Sequence, residues 1–140
     1  MALVLDASVA VAWCLPDESS DSATMILDLV RQSYALVPAI WPVELAHALR
    51  NAQLRGRANQ ADFSTFFELL DGLVIRIVPS CQSDAATLLK FAADVNLSVY
   101  DASYLRVAME SKLPIATFDK AILQTAKVRG VPSAISNRAN

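Results

Sequence analysis

The sequence has few of the residues that build soft-metal or disulfide sites. It contains one histidine, His47, and two cysteines, Cys14 and Cys81. A single histidine excludes a multi-histidine metal centre, and the cysteines are too far apart for any zinc-binding spacing. No apolar stretch approaches the ~18 residues of a membrane-spanning helix, and no basic segment precedes the apolar start of the chain. We therefore expect two reduced thiols in a cytoplasmic protein that does not contact a membrane.

Charged residues are also scarce, at 19% of the chain. The 12 Lys and Arg against 14 Asp and Glu give a formal net charge of −2. This balance argues against a protein that binds nucleic acid through overall positive charge, although a local basic patch stays open. Hydrophobic residues reach 54% of the 140 positions, which is enough for one core plus an apolar surface that another chain would cover. We predict a single domain over residues 1–140, with a polar tail that frays from about residue 136.

Short apolar segments alternate with helical patterns along the whole chain. The apolar segments predict strands at 2–5, 35–37, 74–78 and 114–116, with a short edge strand at 131–133. Helices are predicted at 8–15, 19–32, from Pro42 to a stop at Gly56, from a cap at Asn59, and at 84–94, 98–111 and 119–128. This order predicts an α/β fold in which helices cover both faces of a parallel sheet.

Four acidic residues stand at strand ends or helix starts. Asp6 follows the first strand, Glu44 opens the helix after the second, Asp101 lies in the first turn of the helix at 98–111, and Asp119 follows the fourth strand. In an open parallel sheet the ligand crevice lies beyond the carboxyl ends of the strands. It is this α/β order alone that predicts the convergence of the four acids.

Each acid also has a purely structural interpretation. Asp6 or Ser8 would cap the first helix, and Asp119 would cap the last. Ser98-Val-Tyr-Asp101 matches a capping box, and Glu44 would favour the dipole of its helix.

The apolar surroundings of these acids favour a shared site. Leu3-Val-Leu5 precedes Asp6, Trp41-Pro-Val43 precedes Glu44, and Ile115-Ala116 comes before Asp119. Carboxylates gathered in such a pocket repel one another, and a divalent cation removes that repulsion. Oxygen ligands without histidine or cysteine suit Mg²⁺ or Mn²⁺ and do not suit zinc.

His47 completes a Glu-x-x-His spacing with Glu44, which is the spacing of di-iron bundles. Those sites need a second histidine, and the chain has none. We interpret His47 as a partly exposed helix residue, and contact with a phosphate or with Glu44 is the alternative.

Taken in order, four motifs resemble those of a known family. They are Asp6-Ala-Ser8 after a strand, Pro42-Val-Glu44-Leu-Ala opening a helix, Tyr100-Asp-Ala-Ser-Tyr-Leu-Arg-Val-Ala108, and Thr117-Phe-Asp119. The sequence resembles PIN-domain proteins over nearly its whole length, and within that group it is similar to VapC-type toxins of bacterial toxin–antitoxin pairs. The resemblance implies a three-layer α/β/α fold with a central, mostly parallel sheet of four to five strands.

The resemblance also implies a metal-dependent ribonuclease. Asp6, Glu44 and Asp101 would be its central catalytic and metal-binding acids, and Asp119 a more variable fourth. Ser8 and Thr117 would be polar supports beside one or two Mg²⁺ or Mn²⁺ ions.

Local cations would provide the RNA contacts in such a protein. Arg50, Arg55 and Arg57 lie on or just after the Glu44 helix. Lys120 follows Asp119, and Lys127 and Arg129 lie further along the last helix. The alternative is an ordinary solvated surface, because isolated surface cations are common.

For partners, the resemblance implies an RNA substrate (transfer, ribosomal or messenger RNA), a cognate VapB-type antitoxin and a homodimer. One competing function is a phosphoaspartyl enzyme or receiver domain. It fails because Asp6-Ala-Ser8 lacks a second acid, and Pro79-Ser-Cys81 follows the third strand where a receiver needs Asp. The other is a non-catalytic RNA- or protein-binding module that keeps the PIN fold.

Overall fold

A parallel four-stranded sheet forms the centre of the computed structural model, which describes residues 1–135. The strands are β1 (Leu3–Leu5), β2 (Ala35–Val37), β3 (Ile75–Ile77) and β4 (Ile115–Ala116), in the order β3-β2-β1-β4. All three pairings are parallel, and Val4 of β1 lies opposite Leu36 on one side and Ile115 on the other. The predicted α/β fold is therefore confirmed.

Seven α-helices flank the sheet within residues 1–135. They are α1 (Ala7–Cys14), α2 (Asp21–Gln32), α3 (Trp41–Leu54), α4 (Gln60–Asp71), α5 (Asp84–Val95), α6 (Val99–Ser111) and α7 (Lys120–Val128). Helix α1 packs against α2, α3 and α4, whereas α6 lies against β1, β2 and β4 and contacts α5 and α7. In this described part of the chain, none of the helices has the length and apolar character needed to cross a membrane.

Three helices begin one or two residues later than predicted because a polar residue at or next to the predicted start is a cap outside the helix. Ser20, Ser98 and Asp119 have extended backbones, and their side chains accept backbone N–H groups of the first turn. Helix α3 instead begins at Trp41, one residue before Pro42. A proline is tolerated there because the first N–H groups of a helix have no intrahelical partner.

The predicted edge strand at 131–133 is not formed as a strand. Ser133 makes an isolated parallel bridge to Ile115, supported by the backbone bonds Ile115 N–H to Pro132 O and Ala134 N–H to Ile115 O. Pro132 has no N–H to donate, so the ladder stops after these two bonds. The sheet therefore has four strands, and the predicted tail at 136–140 lies outside the described residues.

The sheet positions the functional region at the carboxyl end of its central strand. Leu3, Val4 and Leu5 are fully buried, so β1 forms part of the core. From β1 the chain leads to β2 on one side and returns much later to β4 on the other, which makes the β1–β4 boundary a topological switch point. The Asp6 N–H donates to Ala116 O at 3.0 Å, so the two strand ends lie side by side.

Candidate active site

Asp6 occupies the cap position of α1 but does not cap that helix. No side-chain hydrogen bond reaches the α1 backbone from this position. Instead, the Asp6 Oδ2 atom accepts hydrogen bonds from Ser8 Oγ at 2.7 Å and from Thr117 Oγ1 at 2.6 Å. The capping interpretation is therefore wrong for Asp6 and Ser8. The hydroxyls of Ser8 and Thr117 instead hold the Asp6 carboxylate at the end of β1.

The same two hydroxyls fix the loop between β4 and α7. Thr117 is fully buried, and its Oγ1 accepts the Asp119 N–H at 3.0 Å. Ser8 Oγ accepts the Phe118 N–H at 3.2 Å. Each hydroxyl thus donates to Asp6 and accepts a backbone N–H of the loop, which holds Asp119 next to Asp6.

Asp119 does cap its helix, as its structural interpretation predicts. Its Oδ1 atom accepts the Ile122 N–H at 3.0 Å. Capping uses one carboxylate oxygen and leaves the second available for another ligand, so a cap and a metal ligand are compatible roles here.

Glu44 is held by a residue that the sequence analysis did not assign to the site. The Tyr104 hydroxyl donates to Glu44 Oε1 at 2.7 Å, and Tyr104 is fully buried. Tyr104 lies three residues after Asp101 on α6, so both residues face the same side of that helix. That spacing from a predicted site residue is the signal that could have identified Tyr104.

Asp101 lies in the first turn of α6 and is partly buried. Its backbone N–H donates to Ser98 Oγ at 3.1 Å, so the Ser98 hydroxyl caps the helix. The predicted cap is correct for Ser98, while the Asp101 carboxylate faces the other acids.

The four predicted acids line one cleft. This acidic cleft has a volume of about 530 Å³ and contains Asp6, Glu44, Asp101 and Asp119 together with Ser8 and His47. His47 is exposed and contacts Asn51 at 3.3 Å, as expected for a surface helix position. The chain order that predicted convergence therefore places these side chains at one site.

Burial and mutual repulsion disfavour ionisation of these acids. Burial raises the pKa of Asp6, the hydrogen bonds from Thr117 and Ser8 oppose it, and the charge of Asp119 raises the pKa further. Burial also raises the pKa of Glu44 and of Asp101, and the charge of Asp6 adds to both shifts. The ionised acids are therefore close enough to repel one another, and a bound cation would relieve the repulsion.

The acidic cleft suits a Mg²⁺ or Mn²⁺ ion that keeps part of its water shell better than an ion coordinated by protein groups alone. Within residues 1–135, no three His, Cys, Asp or Glu side chains lie close enough together to form a ready-made metal cage. Magnesium usually keeps several waters and binds through one or two carboxylates, so it needs no such cage. One or two of the carboxylates of Asp6, Glu44 and Asp101 could hold such an ion together with its waters, and Asp119 lines the same cleft.

Arg57 is the one predicted RNA contact that lines the acidic cleft, and it already has acidic partners. Its guanidinium makes two 3.0 Å bonds to Asp17 and a 2.6 Å bond to Glu18, both in a short 3₁₀ turn after α1. These bonds raise the pKa of Arg57 and lower that of Asp17. Gly56 permits this position because it ends α3 with a φ of 70°.

The other predicted RNA contacts lie outside the cleft. Arg50 donates to Gln53 on its own helix at 2.6 Å, and Arg55 is an exposed residue at the end of α3. Lys120 is exposed at the start of α7. The structure thus brings the acids and their hydroxyl supports together and leaves the predicted cations dispersed.

Both thiols are free, which agrees with the prediction of reduced cysteines. Cys14 is buried in α1, and Cys81 is exposed before α5. Neither residue belongs to the acidic cleft.

Comparison with known proteins supports the fold and the family. The crystal structure of PAE2754 from Pyrobaculum aerophilum is similar with a TM-score of 0.65 and 23% identity, covering 89% of this chain and 87% of that one. At this identity the likeness shows the fold alone. No curated protein matches the sequence. The PIN domain family matches residues 3–128, which include the whole of the acidic cleft. The chain therefore belongs to the PIN domain family.

Proposed function

We propose that this protein is a Mg²⁺- or Mn²⁺-dependent endoribonuclease that hydrolyses RNA phosphodiester bonds. PIN domains are generally metal-dependent nucleases, and the family match therefore supports a nuclease of this kind. One observation carries the proposal. The Asp6 carboxylate is oriented by Ser8 and Thr117 into the cleft that also holds Glu44 and Asp101, although a capping role for it was available.

The residues of the cleft would divide the work between orientation and charge. When bound, the divalent ion supplies a water of lowered pKa and neutralises charge at the phosphate. Ser8 and Thr117 fix Asp6, and Tyr104 fixes one oxygen of Glu44. Asp101 and Asp119 line the same cleft and would add negative charge that helps to orient the water.

We further propose that the protein is the toxin of a VapBC-type pair and acts in the cytoplasm. The motif around Asp101 supports a VapC-type protein. The exposed apolar residues Leu54 on α3 and Phe67 on α4 support a surface that a VapB-type antitoxin covers. A homodimer would bury others of the exposed apolar residues, such as Leu89 and Met109.

The catalytic proposal is tested with purified protein and total bacterial RNA. We expect defined new 5′ ends in Mg²⁺ or Mn²⁺, none in EDTA, and none with Asp101→Asn. The matched control is Asp94→Asn, which changes the same chemical group at an exposed site on α5 outside the cleft. Metal binding by the wild type without cleavage of any RNA would favour the non-catalytic binding module instead.

The toxin role needs a separate experiment in cells. Induced expression of the wild type should arrest bacterial growth, while Asp101→Asn should not. Co-expression with a small protein encoded beside the gene should restore growth and yield a co-purifying complex. Equal arrest by both variants would separate the toxicity from the acidic cleft.

A further inference from the structure

A second concave surface adjoins the acidic cleft along helix α7. This groove, called the basic groove for its two lysines, has a volume of about 690 Å³ and lies between α7 and the segment that follows it, up to Ile135. Ser22 of α2 also lines it, and the rest of its wall is mainly apolar. Lys120 and Lys127 line it, and no Asp or Glu does. The groove therefore has two cationic side chains and no acidic side chain in its wall, whereas the acidic cleft and the cavity at Arg106 contain both.

The two lysines differ from the arginines at the other cavities. Arg57 in the acidic cleft is paired with Asp17 and Glu18, and Arg106 near α5 is paired with Asp84 and Glu110. Within residues 1–135 no ion pair involves Lys120 or Lys127. Among the described residues, no acidic side chain therefore neutralises either lysine.

Phe118 connects the basic groove to the acidic cleft. It belongs to the walls of both, and its side chain is 38% exposed. The Phe118 N–H is bonded to Ser8 Oγ, which also donates to Asp6. The backbone that carries this aromatic ring is therefore fixed at the junction, beside the acid at the end of β1.

We propose that the basic groove binds the stretch of single-stranded RNA that leaves the acidic cleft, with phosphates on Lys120 and Lys127 and a base stacked on Phe118. The inference rests on the proposed function, because a strand cleaved in the acidic cleft must continue beyond it. Lysines on a groove and an exposed aromatic ring are the features by which proteins bind single strands without sequence readout.

The geometry of α7 supports two phosphate contacts. Lys120 and Lys127 are seven residues apart, so they lie on one face of the helix and about 10 Å apart along its axis. That separation allows each lysine to contact a different phosphate. The acidic cleft cannot supply these contacts itself, because its one arginine is already paired.

The chain has four lysines, of which two line the basic groove and two lie elsewhere, so a matched control is available. Lys120→Gln/Lys127→Gln removes the pair in the basic groove, and Lys90→Gln/Lys112→Gln removes two exposed lysines elsewhere with the same change in net charge. Binding of a fluorescein-labelled oligouridylate is measured by anisotropy with Mg²⁺ between about 50 and 200 mM KCl. Both double variants are made in the Asp101→Asn background so that the probe stays intact.

We expect the Lys120/Lys127 variant to flatten the slope of log affinity against log salt by about 1.4, since each phosphate contact on a single strand contributes ~0.7. The Lys90/Lys112 variant should keep the slope. Phe118→Leu should keep it too but weaken binding roughly tenfold through lost stacking. In the active background, Lys120→Gln/Lys127→Gln should raise KM and leave kcat unchanged.

Three results would overturn the inference while leaving the proposed function intact. One is RNA cleavage together with equal salt slopes for the two lysine variants. Another is a flattened slope in Arg50→Gln/Arg55→Gln alone, which would place the strand along α3. The third is loss of self-association by Lys120→Gln/Lys127→Gln in light scattering without a change in RNA binding, which would assign the groove to a second copy of the chain. A wild type that neither cleaves nor binds RNA would overturn both proposals.

Discussion

The hydroxyl of Tyr104 donates to Glu44 across a separation of 60 residues, at 2.7 Å. The tyrosine is fully buried, and its pKa is raised by burial, by its bond to Glu44 and by the nearby charge of Asp6. The phenol is therefore a neutral donor at any physiological pH. It orients one oxygen of Glu44 from within the core.

Tyr104→Phe tests this orientation. The phenyl ring keeps the packing, so we expect a loss of only about 1 kcal/mol in unfolding free energy. Mn²⁺ affinity should fall by roughly 10- to 100-fold, because residues that orient a metal ligand affect binding to that extent. Electron paramagnetic resonance of free Mn²⁺ gives the affinity, and thermal unfolding gives the stability.

A double variant distinguishes orientation from general packing. In a Glu44→Gln background, Tyr104→Phe should cause little further loss of Mn²⁺ affinity, because the carboxylate that it orients is already gone. Equal losses in both backgrounds would show that Tyr104 does not act through Glu44.

Without metal, Asp101→Asn should unfold at a higher temperature than the wild type at pH 7. Burial and the charges of Asp119 and Asp6 raise the folded-state pKa of Asp101. Because its pKa is raised in the folded state, the protonated Asp101 stabilises the fold at low pH. This contribution to the unfolding free energy is lost as the pH rises through the folded-state pKa. Asparagine carries no charge to repel its neighbours. The advantage over the wild type in EDTA should shrink as the pH is lowered, and an advantage independent of pH would contradict this account.

Bound metal should make the wild type more stable than Asp101→Asn, which is the reverse of the order expected in EDTA. A ligand that binds only the folded state at a hundredfold excess over its Kd adds about 2.7 kcal/mol to the unfolding free energy. We expect Mn²⁺ to stabilise the wild type by this amount and Asp101→Asn by much less, in differential scanning calorimetry. Asp94→Asn should respond as the wild type does.

Thr117→Val removes the hydroxyl that joins Asp6 to the α7 loop. The variant leaves the Asp119 N–H without its acceptor and Asp6 with only Ser8 as a hydroxyl donor. We expect a loss of about 1–3 kcal/mol in chemical unfolding, because one buried hydroxyl satisfies two groups.

The control is Thr125→Val on α7, where the hydroxyl bonds only to Ala121 O of its own helix. Thr125→Val should lose less unfolding free energy than Thr117→Val, and it should still cleave RNA. Equal losses in the two variants would show that the Thr117 contacts have no special weight.

Arg57→Gln should affect folding more than RNA binding. The arginine ties the turn after α3 to the turn at Pro16–Glu18, but its pairs are exposed, so the fall in melting temperature should be small. The salt dependence of RNA binding should not change, because the guanidinium is already occupied. Asp17→Asn/Glu18→Gln should cause a similar fall, and the triple variant should add little to it. A flattened salt slope in Arg57→Gln would instead restore Arg57 as an RNA contact.

The sequence predicted what depends on local pattern and on the order of elements. The apolar segment before Asp6 and the alternation of strands and helices were enough to place Asp6 and Asp119 at strand ends, while the structure shows that these two strands are neighbours. Caps were predicted within a residue or two, as at Ser98, because a cap depends on the first helical turn. The prediction of a fifth strand at 131–133 was wrong. Pro132 has no backbone N–H to donate, so only the isolated bridge between Ser133 and Ile115 forms.

Contacts between distant segments could not be predicted in this way. The spacing of Tyr104 from Asp101 places it on the site face of α6, but its bond to Glu44 depends on where α3 lies. Arg57 is paired with an acid 40 residues away, so the sequence showed a cation but not its partner. Such pairs depend on how helices pack, which hydrophobic patterning fixes only in outline.

The hydrogen bond between Asp6 and Thr117 spans 111 residues of the chain. During synthesis Asp6 is made 111 residues before Thr117, which donates to its carboxylate. A nascent chain therefore cannot assemble the proposed catalytic site before residues 117–119 have been made. The topology thus makes the completed acidic cleft depend on contacts between segments that are synthesised far apart in time.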